Sequence, residues 1–272
     1  MSDFYGVVGH PIGHSLSPLI HTMLFEYYNL DCKYEKYDIA PENFEKETEK
    51  LFKFGVKGLN VTIPDKIAAL ESVDCVDPYA LCVRAVNTIR FDGSKTYGYN
   101  TDGIGFIKAL NKFGVSVKDK NILILGAGGA VNSVAKKSQM EGAKKVTILA
   151  RDINKAKVVA ERLDTDYGDL ADYEKYDYDI LVNATPVGMY PKTGASVISS
   201  VKTGSFVYDL IYNPETTRLM EIAHKCGAKA ENGLWMLIYQ AFESFRIWHN
   251  IEPDEIIAEK IYIKAGETLN GK

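Results

Sequence analysis

The sequence predicts an α/β protein of two domains, and three observations predict it. The apolar run Asn121-Ile122-Leu123-Ile124-Leu125 leads into a glycine-rich turn, Gly126-Ala127-Gly128-Gly129-Ala130, near the middle of the chain rather than at its start. Behind that turn, strand-like and helix-like segments alternate in the βαβ rhythm of a parallel, doubly wound sheet. Ahead of it, roughly 120 residues hold their own alternation of short strands and helices, enough for a separate domain. A strand, a glycine turn and a helix present backbone N–H groups to a pyrophosphate where no side chain blocks approach, so the later domain reads as a Rossmann-type nucleotide-binding domain. The earlier domain then supplies the substrate groups, with a cleft between the two.

In the first hundred residues, Phe4 to Gly9, Cys32 to Asp38, Gly58 to Ile63, Asn87 to Phe91 and Thr96 to Tyr99 have strand composition, with Asp92-Gly93 as a hairpin turn. Helices fit from Pro18 to Tyr28, with Ser17 as N-cap and Pro18 as first helical residue, and from Pro41 to Phe54. Ile104, Ile107, Lys108 and Leu110 mark a helix leading to Gly114, and the domain boundary falls near Asn100 to Gly105. The nucleotide domain continues as strand Asn121 to Leu125, helix Ala130 to Glu141, strand Lys145 to Ala150, helix Asn154 to Leu163, and strands Tyr178 to Asn183 and Ser205 to Leu210. A last helix, Leu234 to about Trp248, sets Gln240 among Met236, Leu237, Ser244 and Phe245 on neighbouring faces. Gln240 thus points inward, where an unpaired amide costs about 1–3 kcal/mol and needs a protein or ligand partner.

The 272 residues are 46% hydrophobic and 25% charged, with a formal net charge of −4. This suits a soluble globular chain with a normal core, and without a basic stripe it leaves no electrostatic footprint for nucleic acid. The four cysteines, Cys32, Cys75, Cys82 and Cys226, lack C-x-x-C spacing, which favours reduced thiols over a zinc site or a disulfide framework. No basic-then-apolar leader precedes the first strand, and no apolar run approaches the roughly 18 residues that span a bilayer. A cytoplasmic protein without a membrane partner is expected. His10 and His14 have the spacing of a metal pair, but Pro11 and Gly13 between them forbid the helix that would present both, so no metal is expected.

Four other polar segments are costly to explain by folding alone. In Gly9-His10-Pro11-Ile12-Gly13-His14-Ser15-Leu16-Ser17-Pro18, the hydroxyls of Ser15 and Ser17 can bind a carboxylate beside helix N-terminal N–H groups, or can cap the helix. In Leu59-Asn60-Val61-Thr62-Ile63-Pro64-Asp65-Lys66, alternation sets Leu59, Val61 and Ile63 on one face and Asn60 and Thr62 on the other. Lys66 then comes at the carboxyl end of the strand, where α/β sheets bind ligands. Ala85-Val86-Asn87-Thr88 and Tyr99-Asn100-Thr101-Asp102-Gly103 flank the domain boundary, and an aspartate beside a lysine can hold the amine while it exchanges a proton with a reacting oxygen. Asn183-Ala184-Thr185-Pro186-Val187-Gly188-Met189 and Asp209-Leu210-Ile211-Tyr212-Asn213-Pro214 follow strands of the nucleotide domain, either as ligand-lining loops or as plain β-to-α turns.

Taken in order, these stretches resemble the shikimate dehydrogenase family over nearly the whole chain. The resemblance is carried by Ser15-Leu16-Ser17-Pro18, Asn60-Val61-Thr62-Ile63-Pro64 with Lys66, Ala85-Val86-Asn87-Thr88 with Asn100-Thr101-Asp102-Gly103, Gly126-Ala127-Gly128-Gly129-Ala130, and Gly233 with Met236-Leu237 and Gln240. It implies reversible reduction of 3-dehydroshikimate to shikimate with a nicotinamide cofactor, by a monomer or homodimer. It further implies a substrate-binding catalytic domain of residues 1–103 plus 238–272 and a nucleotide domain of residues 104–237. By the same carry-over, Lys66 and Asp102 form the catalytic pair, Ser15 and Ser17 bind the substrate carboxylate with Tyr212 nearby, and Thr62, Asn87, Asp102 and Gln240 hold ring hydroxyls. The glycine turn, Arg151, Asp152, Thr185 and Gly233 fall to the cofactor.

The chain departs from the family pattern at several positions. Asp65 stands where an aromatic residue or histidine is usual and can raise the pKa of Lys66 or draw it away; Ile67 replaces a common acid; Arg84 occupies a usually small position. At the nucleotide end, Ala150-Arg151-Asp152 replaces the Asn-Arg-Thr of NADP-using members. Arg151 can clamp a 2′-phosphate, whereas Asp152 repels it or accepts from a free ribose hydroxyl, so NADP is expected with NAD as the alternative. Val131, at the third small position of the dinucleotide fingerprint, is expected to push the helix slightly from the strand. An enzyme acting on quinate and a non-catalytic NAD(P)H-binding sensor are the competing readings.

Overall fold

A computed structural model describes residues 2–271 of the chain. It divides into two compact units, Met1–Asp102 with Ile238–Glu267, and Gly103–Leu237 with Thr268–Lys272.

The first unit opens with β1 (Asp3–Gly9), α1 (Ser17–Tyr27), β2 (Cys32–Asp38), a 3₁₀ turn at Pro41–Asn43, α2 (Phe44–Lys53) and β3 (Val56–Val61). It continues through α3 (Lys66–Ser72), β4 (Cys75–Val76), α4 (Pro78–Val83), β5 (Thr88–Asp92) and β6 (Lys95–Tyr99). Its sheet runs β2-β1-β3-β5-β6-β4. β1 lies parallel to β2 and β3, β5 is antiparallel to β3 and β6, and the hairpin turn expected at Asp92-Gly93 joins β5 to β6. Val8, Phe44, Leu59, Val61 and Ile89 form the centre of its core.

From Asp102 the chain forms α5 (Asp102–Lys112), β7 (Asn121–Leu125), α6 (Gly129–Met140), β8 (Lys145–Ala150), α7 (Ile153–Leu163) and β9 (Asp166–Asp169). A 3₁₀ segment at Leu170–Lys175 leads to β10 (Ile180–Asn183), β11 (Phe206–Asp209), α8 (Arg218–Lys225) and β12 (Lys229–Glu231). The strand order is β12-β11-β10-β7-β8-β9 with every pair parallel. This is the doubly wound order, in which the chain winds outward from β7 to β9, returns beside β7 and winds outward the other way. Covered on both faces, its four central strands β7, β8, β10 and β11 read as largely apolar runs rather than alternating ones. α9 (Leu234–His249) and α10 (Glu255–Asn270) close the chain.

Three local expectations are corrected. β3 ends at Val61, so the alternation stops short of Ile63, which is 69% exposed. Lys66 is therefore not a strand-end residue but the first residue of α3. At α1, Leu16 is the N-cap, Ser17 begins the helix, and the Ser17 N–H donates to Ser15 Oγ at 3.2 Å, so Ser15 rather than Ser17 satisfies the free N–H. The strands that sequence reading missed, β4, β9 and β12, span two to four residues, too few for a periodicity to show. Among the described residues no helix is long and apolar enough to cross a membrane.

Candidate active site

The chemistry-bearing groups of the first unit meet at the end of β3. Beyond Val61, the Thr62 N–H donates to the Val8 carbonyl at 3.0 Å, tying this turn to the end of β1, and the Asp65 N–H donates back to the Thr62 carbonyl at 3.0 Å to start α3. A cation at a helix N-terminus faces the positive end of the backbone dipoles, so Lys66 sits where folding alone disfavours it. It is held by Asp102: Lys66 Nζ lies 2.6 Å from Asp102 Oδ2, with the two side chains 18% and 10% exposed. Asp102 starts α5, where a carboxylate is favoured for the same reason that Lys66 is not.

Asn87 fixes the other carboxylate oxygen. Its Oδ1 accepts from the Thr101 N–H at 2.8 Å, which forces its Nδ2 towards Asp102 Oδ1 at 2.8 Å. Gln240, buried on α9 as its apolar neighbours require, turns Oε1 towards Asn87 Nδ2 at 3.5 Å and Thr101 Oγ1 at 3.4 Å. The fold thus brings Lys66, Asn87, Asp102 and Gln240 into one buried group. Thr62 lies half-buried one turn before Lys66, and Ser15 and Ser17 stand on the loop and helix that follow β1. Ser17 also reaches the buried phenol of Tyr34, whose pKa is pushed well up by burial, with the Ser17 hydrogen bond opposing.

Asp65 does not draw Lys66 away. Its carboxyl is 2% exposed, with Oδ2 lacking a hydrogen-bond partner among the described residues, and burial pushes its pKa up while nearby His10 opposes. Arg84 ends α4 in the left-handed region at φ 52°, which explains why a small residue suits that position. His10 Nδ1 pairs with Asp38 Oδ1 at 2.7 Å on the surface.

The second unit gathers the glycine turn and the loops after β8, β10 and β11. Gly126 has φ 116°, and a Cβ there would stand 2.9 Å from the Ala184 carbonyl oxygen, so only glycine lets the turns after β7 and β10 approach. At Gly129, the first residue of α6, a Cβ would meet nothing within 4 Å, which leaves the helix N-terminus bare for an anion. Val131 is fully buried. Thr185 Oγ1 donates to Asn183 Oδ1 at 2.8 Å and accepts from the Val187 N–H at 3.2 Å, bracing the loop after β10. Arg151 is exposed and lines an open groove of about 560 Å³ with Asp169, Tyr173, Ser196 and Ser199. Asp152 is the N-cap of α7, accepting from the Asn154 N–H at 3.1 Å. Tyr212 is half-buried after β11, and burial pushes its pKa up. At Gly233 a Cβ would fall 2.2 Å from the Leu210 carbonyl oxygen, so this position too is closed to any side chain.

Among the polar groups behind these side chains, Thr88, Ser244 and Asp209 fall in segments that sequence reading names without giving them a role, and Tyr34 and Thr217 are the ones it missed. Asp209 is fully buried and accepts from Asn183 Nδ2 at 2.9 Å, the Ile211 N–H at 3.1 Å and Thr217 Oγ1 at 2.7 Å. Burial pushes its pKa up to about 6 against those three donors.

Three family descriptions match the chain in order. They are the shikimate dehydrogenase substrate binding domain over residues 7–89, shikimate / quinate 5-dehydrogenase over residues 108–190, and the shikimate 5'-dehydrogenase C-terminal domain over residues 233–256. A shikimate dehydrogenase (NADP(+)) of Caldanaerobacter subterraneus is 41% identical over 253 residues, covering 90% of each chain. The chain belongs to the shikimate dehydrogenase family. Among solved structures, a family enzyme of Thermus thermophilus in complex with NADP(H) and shikimate has a TM-score of 0.90 at 33% identity, covering 97% of this chain and 99% of that one. A Listeria monocytogenes member in complex with shikimate and NAD has a TM-score of 0.89 at 30% identity, covering 96% of each.

Proposed function

We propose that the protein catalyses the reversible reduction of 3-dehydroshikimate to shikimate with NADPH. The observation that carries this reading is the Lys66–Asp102 contact of 2.6 Å, with Asn87 donating to the second Asp102 oxygen, in a chain of this family. A bound nicotinamide would supply a hydride to the ketone carbon, so that negative charge would develop on the ketone oxygen. Lys66 gives that oxygen a proton, and Asp102 holds the ammonium in place and offsets its charge. Ser15, Ser17 and Tyr212 bind the substrate carboxylate, and Thr62, Asn87, Asp102 and Gln240 hold the ring hydroxyls. In reverse, the neutral Lys66 amine takes the proton from the hydroxyl that is oxidised.

Apart from Tyr212, the substrate groups fall in residues 1–103 plus 238–272, and the nucleotide groups fall in residues 104–237. Gly126, Ala127, Gly128, Gly129 and Ala130 receive the pyrophosphate at the start of α6, with Thr185 and Gly233 on the adjoining loops. NADP is favoured over NAD because the Arg151 guanidinium is exposed at the end of β8, while Asp152 already spends an oxygen on its helix. We place the enzyme in the cytoplasm, as a monomer or homodimer acting on a small molecule and not on nucleic acid. The deciding experiment follows nicotinamide absorbance with the purified chain, shikimate or quinate, and NADP⁺ or NAD⁺. The proposal expects the highest kcat/KM with shikimate and NADP⁺; preference for quinate, or cofactor binding without turnover, refutes it.

A further inference from the structure

We propose that Thr88 and Ser244 are positioning residues for the Lys66–Asp102 pair, the middle links of a one-way hydrogen-bond chain that begins at Tyr34 in the core and ends on the Asp102 carboxylate. This rests on the reading of that pair as the catalytic one. The chain is continuous. Tyr34 OH donates to Asn60 Oδ1 at 2.7 Å, Asn60 Nδ2 to Ser244 Oγ at 2.9 Å, and Ser244 Oγ lies 2.8 Å from Thr88 Oγ1. Thr88 Oγ1 donates to Asn87 Oδ1 at 3.1 Å, and Asn87 Nδ2 to Asp102 Oδ1 at 2.8 Å.

Backbone groups lock its direction at both amides. The Asn87 carbonyl only accepts and lies 3.2 Å from Asn60 Nδ2; the Thr101 N–H only donates and lies 2.8 Å from Asn87 Oδ1. Turning either amide over sets like against like. Between them each hydroxyl has one proton. Ser244 accepts from Asn60, and Thr88 Oγ1 at 2.8 Å takes its proton, nearer than the Gln240 carbonyl at 3.1 Å or Thr101 Oγ1 at 3.5 Å; Asn60 Nδ2 also reaches Thr88 Oγ1 directly at 3.2 Å, with the same direction. Thr88 then donates to Asn87.

All five residues are at most 6% exposed, so little water competes, and aligned hydrogen bonds in such surroundings polarise one another. Every dipole points its positive end at Asp102. The effect is to keep the Asn87 amide aimed at the Asp102 carboxylate, which fixes where Lys66 is held. The titratable groups around the chain are Lys66 on Asp102, Asp65 beside Lys66 in sequence, and Tyr34 with His21 stacked on it at 4.4 Å at the far end.

Thr88→Val keeps the β-branched shape and removes the hydroxyl; Thr88→Ser restores it. In the full chain, Thr88→Val is expected to lower kcat about fivefold or more. The Asn87 side-chain amide signals in ¹H–¹⁵N spectra of the ligand-free protein should shift, because the amide oxygen loses the Thr88 donor. The dissociation constant for NADPH should stay within about twofold, and Thr88→Ser should return kcat and the amide signals to about the wild-type values. Unshifted amide signals in Thr88→Val, or an equal loss in Thr88→Ser, overturn the proposal. Should Thr88→Val fail to fold, Ser244→Ala on α9 takes its place: shifted Asn87 amide signals support the chain, and unshifted ones overturn it. The spectra need no turnover, so a wild-type chain inactive on 3-dehydroshikimate refutes the proposed reaction and leaves the chain of hydrogen bonds to be judged separately.

Discussion

Lys66 stands at a helix start, where its charge is disfavoured, and is retained there by one carboxylate 2.6 Å away. Removing the amine should therefore harm the reaction more than the fold. Lys66→Ala is expected to lower kcat at least about tenfold, within the range general acid catalysis supplies, with a much smaller change in KM; steady-state kinetics check it, and an unchanged kcat removes Lys66 from the mechanism. Asp152 caps α7 and, on the proposed reading, also sets a negative charge beside the cofactor. Asp152→Thr retains a capping oxygen and removes the charge, so the NADP-to-NAD ratio of kcat/KM should rise while the melting temperature barely moves. Asp152→Ala should cost about 0.5–2 kcal/mol in urea unfolding because the cap is lost.

The elements that carry the site are joined by turns that tolerate little change. Gly126 combines φ 116° with a Cβ position 2.9 Å from a carbonyl oxygen, so Gly126→Ala should push the turns after β7 and β10 apart. Its expected signature is weakened nucleotide binding by fluorescence titration together with a lower melting temperature. Arg84 closes α4 in the left-handed region, where a residue with a Cβ is strained by about 1–2 kcal/mol. Arg84→Gly should accordingly stabilise the protein, by less than that amount because glycine loses more backbone freedom on folding.

Across the whole molecule, buried Asp209 and His21 and half-buried His249 act on the acid response in opposing directions. Asp209 prefers its proton when folded, with its pKa raised from 3.8 to about 6, so its contribution to stability is full below 3.8 and lost as pH rises through about 6. Burial depresses His21 from 6.5 to about 3, helped by the nearby His249, and depresses His249 from 6.5 to about 4. Their contributions are full above 6.5 and lost as pH falls towards those values. Near pH 5 unfolding thus takes up about one proton net, and stability should fall by about 1.4 kcal/mol per pH unit on acidification. Asp209→Asn removes the opposing proton and should roughly double that slope, which urea unfolding at several pH values between about 4.5 and 6 measures.

Much of this is legible in the order of residues. The doubly wound half is readable because its four central strands are largely apolar runs of four to six residues, and β7 and β8 fall where composition puts them. Lys66, Asp102, Asn87 and Gln240 all stand out as polar residues in places where folding alone does not need them. Ser17 reads as the cap because a serine before a proline satisfies the local rule, and only the path of the loop from Ile12 shows that Ser15 accepts that N–H. The direction of each hydrogen bond is out of the sequence's reach. Asn87 and Gln240 are 153 positions apart, and Asn60 and Ser244 are 184 apart. The sequence by itself determined the longer elements, the order of its motifs and the set of candidate polar groups, because periodicity and turn chemistry act between near neighbours. Which amide oxygen faces Thr101, which amine faces Asp102 and which hydroxyl links them were decided only by the tertiary structure, because a buried polar group takes its orientation from donors and acceptors brought beside it by the fold.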